Sequence, residues 1–127
     1  MSAEPRVEWI AVTIDCRAVG VVAEFWRQLI GLARLEDPLP GWQRAAAAVP
    51  GGPAITFQPV PEPKSGKVRL HLDLRTDDLA AAFARVRALG GSYTGEVHVY
   101  DEGTVAVMAD PEGNEFCLLG PPGSAVG

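Results

Sequence analysis

A chain of 127 residues with 47% hydrophobic and 21% charged side chains has the composition of one folded domain, and it can bury a core without disulfides or a structural metal. Sixteen acidic residues against eleven basic ones leave a net charge of -5, which repels phosphate backbones and anionic lipid and excludes nucleic acid and membrane surfaces as partners. No apolar run approaches the roughly 20 residues of a membrane span and the first residues lack a secretory signal, so the expectation is a cytoplasmic protein in which Cys16 and Cys117 form no disulfide framework.

Arg6 to Asp15 alternates, with Ile10, Val12 and Ile14 on one face and Trp9, Ala11, Thr13 and Asp15 on the other, which predicts a half-buried strand. From Ala18 the apolar period lengthens. Val19, Val22, Phe25, Trp26, Leu29 and Ile30 make a helical stripe ending near Gly31, and the residues before it cap it poorly. Residues 41–60 read as short extended pieces, QRAAAAV and AITFQPV, joined by the turn Pro50-Gly51-Gly52-Pro53. The Pro-rich, charged stretch 61–66 reads as a linker. Beyond it Val68, Leu70, Leu72 and Leu74 alternate with Arg69, His71, Asp73 and Arg75, a strand with one apolar and one polar face. Thr76-Asp77-Asp78 offers cap oxygens to a second helix whose stripe is Leu79, Ala82, Phe83, Val86 and Leu89, stopped by Gly90-Gly91. Strands EVHVY, TVAVMA and EFCLL follow, separated by turns at 101–103 and 110–114. The order is strand, helix, three strands, twice over about sixty residues, the mark of a duplicated unit. It divides one domain, 1–127, into modules 6–60 and 67–120.

Three segments are distinctive: TIDC ahead of a helix containing EFWRQLIGL, then HLDLRTDDLAAAFARVRALGG, then VMADPEGNEFCLL. With them the chain resembles the vicinal oxygen chelate superfamily, which includes glyoxalase I, extradiol dioxygenases and bleomycin-binding resistance proteins. Its nearest likeness is to the glyoxalase-like and bleomycin-resistance-like subgroup. The resemblance implies an α+β fold of two βαβββ modules enclosing a cleft, a small-molecule ligand and a homodimer. Metal-using relatives hold an ion through the first and last strands of each module, commonly with His, Gln or Glu. Carried over by position, those places fall on Trp9 or Ala11, Gln58, His71 and Cys117. The first two do not coordinate metal, so any ion would rest on His71, Gln58 and Cys117, a poor set for Mg or Mn. Zinc would accept His71 and Cys117 if Asp73 or Glu115 turned inward. No cofactor is therefore expected, with a divalent metal as the lesser alternative.

The polar strand face supplies the catalytic candidates: His71 as a general base, with Asp73 orienting its ring. Arg69 and Gln58 would position the ligand, and Trp9, Thr13 and Cys117 complete the ligand-binding set. The bland readings are a His71 satisfied by its neighbours and a Cys117 packed between Phe116 and Leu118. His98, on an outer strand, reads as surface. Trp9, Trp42, Phe57, Tyr93, Tyr100 and Met108 are candidate pocket walls, while Phe25, Trp26 and Phe83 read as core. Glu62, Lys64 and the run Glu112 to Glu115 read as solvated turns. Gly51-Gly52 precedes no helix carrying Lys-Ser or Lys-Thr and no Gly-x-Ser-x-Gly elbow occurs, which excludes those phosphate and acyl-transfer sites. The expected function is binding of a small organic molecule, with metal-independent lyase or isomerase chemistry if it is an enzyme. The alternatives are a protein that sequesters an antibiotic or metabolite and, behind it, a metal-dependent glyoxalase or dioxygenase.

Overall fold

The computed structural model describes residues 4–126. Its elements are β1 (Ala11–Cys16), α1 (Val19–Ile30), β2 (Arg34–Leu35), β3 (Gln43–Ala45), β4 (Ala54–Pro59), β5 (Asp73–Arg75), α2 (Leu79–Ala88), β6 (Ser92–Tyr100), β7 (Gly103–Ala109) and β8 (Glu115–Gly120). They form two sheets, β1-β4-β3-β2 and β5-β8-β7-β6, each with one helix. The first and last strands of each module, β1 with β4 and β5 with β8, pair in parallel, and the remaining pairs are antiparallel. This is the α+β architecture of two βαβββ modules. Among the described residues no helix is long and apolar enough to cross a membrane.

The two modules share a register. Val19 and Leu79 open the two helices sixty residues apart. The same offset carries Thr13 onto Asp73, whose partners on the last strands are Thr56 and Cys117. Ala11 is thereby the counterpart of His71, and Thr56, not Gln58, the counterpart of Cys117.

Alternation fixes which face is buried. Ile55 and Phe57 of β4, Ala106 and Met108 of β7 and Phe116 and Leu118 of β8 point into one core shared by both modules, together with Phe25 and Trp26 of α1 and Phe83 and Val86 of α2. Phe116 meets Phe25 and Trp26 edge to face, with ring centroids 5.9 and 4.8 Å apart. Gly91, just after α2, leaves room for Phe25 against the end of β7. A Cβ there would lie 2.6 Å from the Ala109 carbonyl and 2.8 Å from the Phe25 ring.

Both long alternating segments are shorter as strands than their patterns predict. Pairing of β1 begins at Ala11 opposite Ala54, and its first bond runs from the Ala54 N–H to the Ile10 carbonyl at 3.0 Å. Ile10, expected on the buried face, is 77% exposed. Of the alternating residues 68–75, only 73–75 form a strand. β8 starts at Glu115, so its ladder does not extend to residues 67–70. The Val68 N–H donates instead to the Glu115 carboxylate at 3.1 Å, and Leu70 projects outward, 78% exposed. The Cys117 N–H still reaches the Leu72 carbonyl at 3.0 Å, which keeps His71 alongside β8.

The start of α1 has no side-chain cap from its own segment, as its sequence suggests, and the residues leading into it are held from the second module. Glu112, in the turn between β7 and β8, accepts from the Arg17 and Ala18 N–H groups at 2.8 and 2.7 Å. A carboxylate there answers both the free amides and the positive end of the helix dipole. The turn is held by Asp110, 3% exposed. Its Oδ1 accepts from the Glu112 and Asn114 backbone N–H groups at 2.9 and 3.0 Å, and its Oδ2 from Asn114 Nδ2 and Trp26 Nε1 at 2.9 and 3.0 Å. Residues 110–115 are thus a junction between the modules, not the solvated turn their composition suggests. Helix α2 begins as read, with the Asp78 carboxylate accepting from the Ala81 N–H at 3.0 Å.

Candidate functional site

The face of the second sheet turned away from the helices is open. Cross-strand pairing aligns Asp73, Cys117 and Val107 in one row and Leu119, Val105 and His98 in the next. These rows floor a groove of about 350 Å³ that also takes in His71, Glu96 and Tyr100. A smaller groove of about 240 Å³ lies where β1 runs beside residues 68–72, lined by Thr13, Asp15, Leu70, His71 and Glu115 among others. His71 stands in both.

Of the residues singled out from sequence, the groove brings together His71, Asp73 and Cys117, and Thr13 faces the adjoining groove. Gln58 lies opposite Asp15 at the far end of β4, Trp9 projects into solvent ahead of β1, and Arg69 is exposed; none of the three lines either groove. Phe57 and Met108 belong to the core, and Tyr93 packs on Phe83, so the aromatic wall reduces to Tyr100. Three polar groove residues escape the sequence reading: Lys67 and Glu96 are not among its candidates, and His98, which reads as surface, faces the groove. Glu96, His98 and Tyr100 alternate on β6, and that period-two run of polar and aromatic side chains was the available signal. An edge strand reads as facing outward, whereas its pairing sets His98 against Val105.

Two histidine–carboxylate pairs occupy the groove. His71 Nδ1 lies 3.0 Å from Asp73 Oδ1, and His98 Nε2 lies 2.9 Å from Glu96 Oε2. The first pair keeps the Nδ1 proton toward the carboxylate and leaves Nε2 as the basic lone pair. The hydrogen bond from His98 lowers the Glu96 pKa. Glu115 at the groove's edge is desolvated, which raises its pKa, but the Lys64 ammonium at 2.9 Å and the Val68 N–H together hold it below the ordinary value. Burial, and then the charge and hydrogen bond of Asp73, push the Cys117 thiol up. Cys117 is therefore a thiol at neutral pH, the wrong state for a nucleophile.

His71, Asp73 and Cys117 offer an imidazole nitrogen, a carboxylate oxygen and a sulfur within 4.8 Å of one another, a donor set that fits zinc. The first module adds no strong donor at the matching positions, where Ala11 and Thr56 stand. The influence of Asp73 on Cys117 is directly measurable. Asp73→Asn is expected to speed alkylation of Cys117 by iodoacetamide at pH 8 several-fold, with buried Cys16 as the internal control. Mass spectrometry reads both sites, and an unchanged Cys117 rate would remove the electrostatic link.

Two βαβββ modules make up the glyoxalase/bleomycin resistance fold of the vicinal oxygen chelate superfamily. The model of the glyoxalase-like domain matches residues 11–119, and the chain belongs to that family. Among solved structures, a glyoxalase/bleomycin resistance protein/dioxygenase family enzyme from Burkholderia phytofirmans PsJN is similar at 19% identity over 87% of this chain and 96% of that one, with a TM-score of 0.69. A glyoxalase-related enzyme from Fulvimarina pelagi gives 17% identity, 94% and 92% coverage and a TM-score of 0.70. A lactoylglutathione lyase from Agrobacterium tumefaciens gives 18%, 92%, 96% and 0.60. At these identities the likeness is one of fold. No curated protein matches the sequence.

Proposed function

We propose that the protein binds a small organic molecule in the groove of the second sheet and moves a proton on it through His71, without needing a metal. The observation that carries this reading is the 3.0 Å contact of His71 with Asp73 inside a groove of about 350 Å³. Asp73 fixes the tautomer, Nε2 is the base, and the apolar floor of Val105, Val107 and Leu119 supplies contact area for the ligand. A homodimer is the assembly this reading carries with it, and exposed Val7, Trp9 and Ile10 offer apolar surface to a second copy.

The test is a thermal-shift screen of small organic molecules followed by calorimetry on His71→Ala. A hit is expected to bind the variant about tenfold or more weakly, with the unliganded melting temperature unchanged because His71 is exposed. Equal affinity, together with unchanged turnover where turnover is found, sinks the proposal. Binding without turnover in either form favours sequestration. The clustering of donor atoms at His71, Asp73 and Cys117 favours a second reading, a soft divalent cation there. Zinc retained stoichiometrically by the wild type and lost in both His71→Ala and Cys117→Ser would replace the metal-free reading with that one.

A further inference from the structure

The open face of the first sheet carries polar groups for which the groove has no use. Thr13, Thr56 and Arg44 are cross-strand partners on β1, β4 and β3. Ala45, Ile55 and Phe57, the residues that alternate with Arg44 and Thr56, enter the core, so the three side chains share the face turned away from it. Thr56 is 3% exposed, and its hydroxyl is buried with no hydrogen-bond partner. Arg44 Nε is buried and unpartnered beside it. Among the described residues Arg44 makes no ion pair, although Arg6, Arg27 and Arg34 each hold a carboxylate in a chain rich in them. The equivalent row of the second module is Asp73, Cys117 and Val107. The duplicated faces have thus diverged, one row carrying a carboxylate and a thiol, the other two hydroxyls and a guanidinium.

A half-buried guanidinium and a buried hydroxyl without partners are costly unless a ligand completes them. A planar fork of donors matches a carboxylate in two parallel bonds. One cation with two hydroxyls, in a protein of net charge -5, suits a monoanion better than a phosphate dianion. Thr13 also lines the groove that contains His71, which connects the two faces.

We propose that Arg44, with the Thr56 and Thr13 hydroxyls, receives the carboxylate of a small organic acid whose remainder passes Thr13 toward His71. The destination of that remainder rests on the function proposed above; the anion seat rests on the first sheet alone.

The probes are benzoate, its neutral counterpart benzamide, and inorganic phosphate, titrated into the full ¹⁵N-labelled chain while the Arg44 Nε–Hε signal and the Thr13 and Thr56 amides are followed. Benzoate is expected to shift these signals saturably, and benzamide to bind about tenfold or more weakly. Arg44→Gln should abolish the benzoate response. Arg44→Lys, which keeps the charge without the fork, should weaken it about tenfold, and it carries the test if the glutamine variant does not fold. Benzamide matching benzoate, or wild-type benzoate affinity in either arginine variant, overturns the seat. Phosphate binding more tightly than benzoate overturns the carboxylate assignment. His71→Ala separates the two proposals, since it should leave the Arg44 response intact. A response at Arg44 with no ligand found for the groove leaves the seat standing and the groove reading refuted.

Discussion

Asp110→Ala is expected to lower the unfolding free energy by about 3–5 kcal/mol, a large part of what a domain of this size possesses. The carboxylate is buried and accepts four hydrogen bonds, from two backbone amides of its own turn, from Asn114 Nδ2 and from Trp26 Nε1. Removing it strands all four donors, two of them on the main chain, in a place water does not reach freely. It also loosens the turn that carries Glu112 to the start of α1. Asp110→Asn is the sharper companion. Its oxygen can still serve the two backbone amides, but its NH₂ then faces the Trp26 and Asn114 donors, so a near-isosteric change is not neutral. Urea unfolding followed by tryptophan fluorescence measures both, and Trp26→Phe, which deletes one donor, should cost only about 1 kcal/mol of hydrogen bonding. A loss under 1 kcal/mol for Asp110→Ala would show that the turn does not depend on this carboxylate.

The second large effect concerns alkaline pH. Cys16 is fully buried, its Sγ directed at the Ile14 carbonyl at 3.3 Å. Burial, then the charges of Glu112, Asp110 and Asp15, push its thiol up to about 12 from an ordinary value of 9.0. The folded state holds this proton more tightly than the unfolded state does. Stability linked to Cys16 is therefore fully present below pH 9 and declines as the pH rises toward 12. At about 1.4 kcal/mol for each pH unit, the loss across that window is about 4 kcal/mol. Other groups titrate there as well, so the measurement is a comparison. Between pH 8 and 11 the stability of the wild type should fall more steeply than that of Cys16→Ala, whose cavity cost does not depend on pH. Parallel curves would mean that the thiol ionises as easily in the folded protein as in the unfolded chain.

Much of the fold was legible because its determinants are local. The stripe from Val19 to Ile30 and the left-handed Gly31 after it delimit one helix, and Asp78 and the Gly90-Gly91 pair delimit the other. What could not be read depends on partners distant in the chain. Residues 6–10 and 68–72 alternate as strands do, but a strand also needs a neighbour with free backbone groups, and the starts of β4 and β8 decide where those end. Glu112 looked like any turn acid because its partners, the amides of Arg17 and Ala18, lie nearly a hundred residues away. The same holds at the site. His71, Asp73 and Cys117 stood out by residue type and spacing, whereas His98 and Glu96 enter only through the order of strands in the sheet. Thr56 and Arg44 are ordinary strand residues until the register shows them side by side with unanswered polar atoms.

The capping of α1 by Glu112 bears on how the two halves depend on each other. Each repeats the other in plan, and a duplicated unit could in principle have kept its autonomy. Here the first half owns a helix whose lead-in amides, those of Arg17 and Ala18, are answered by the second, together with a tryptophan whose indole proton is accepted there. The second half presents Phe116 to rings supplied by the first. A chain opened between residues 61 and 66 would yield two pieces, each lacking contacts that its own sequence cannot replace. They would be expected to order only on meeting, so the duplication survives in the layout of the strands while folding has become a joint act of both halves.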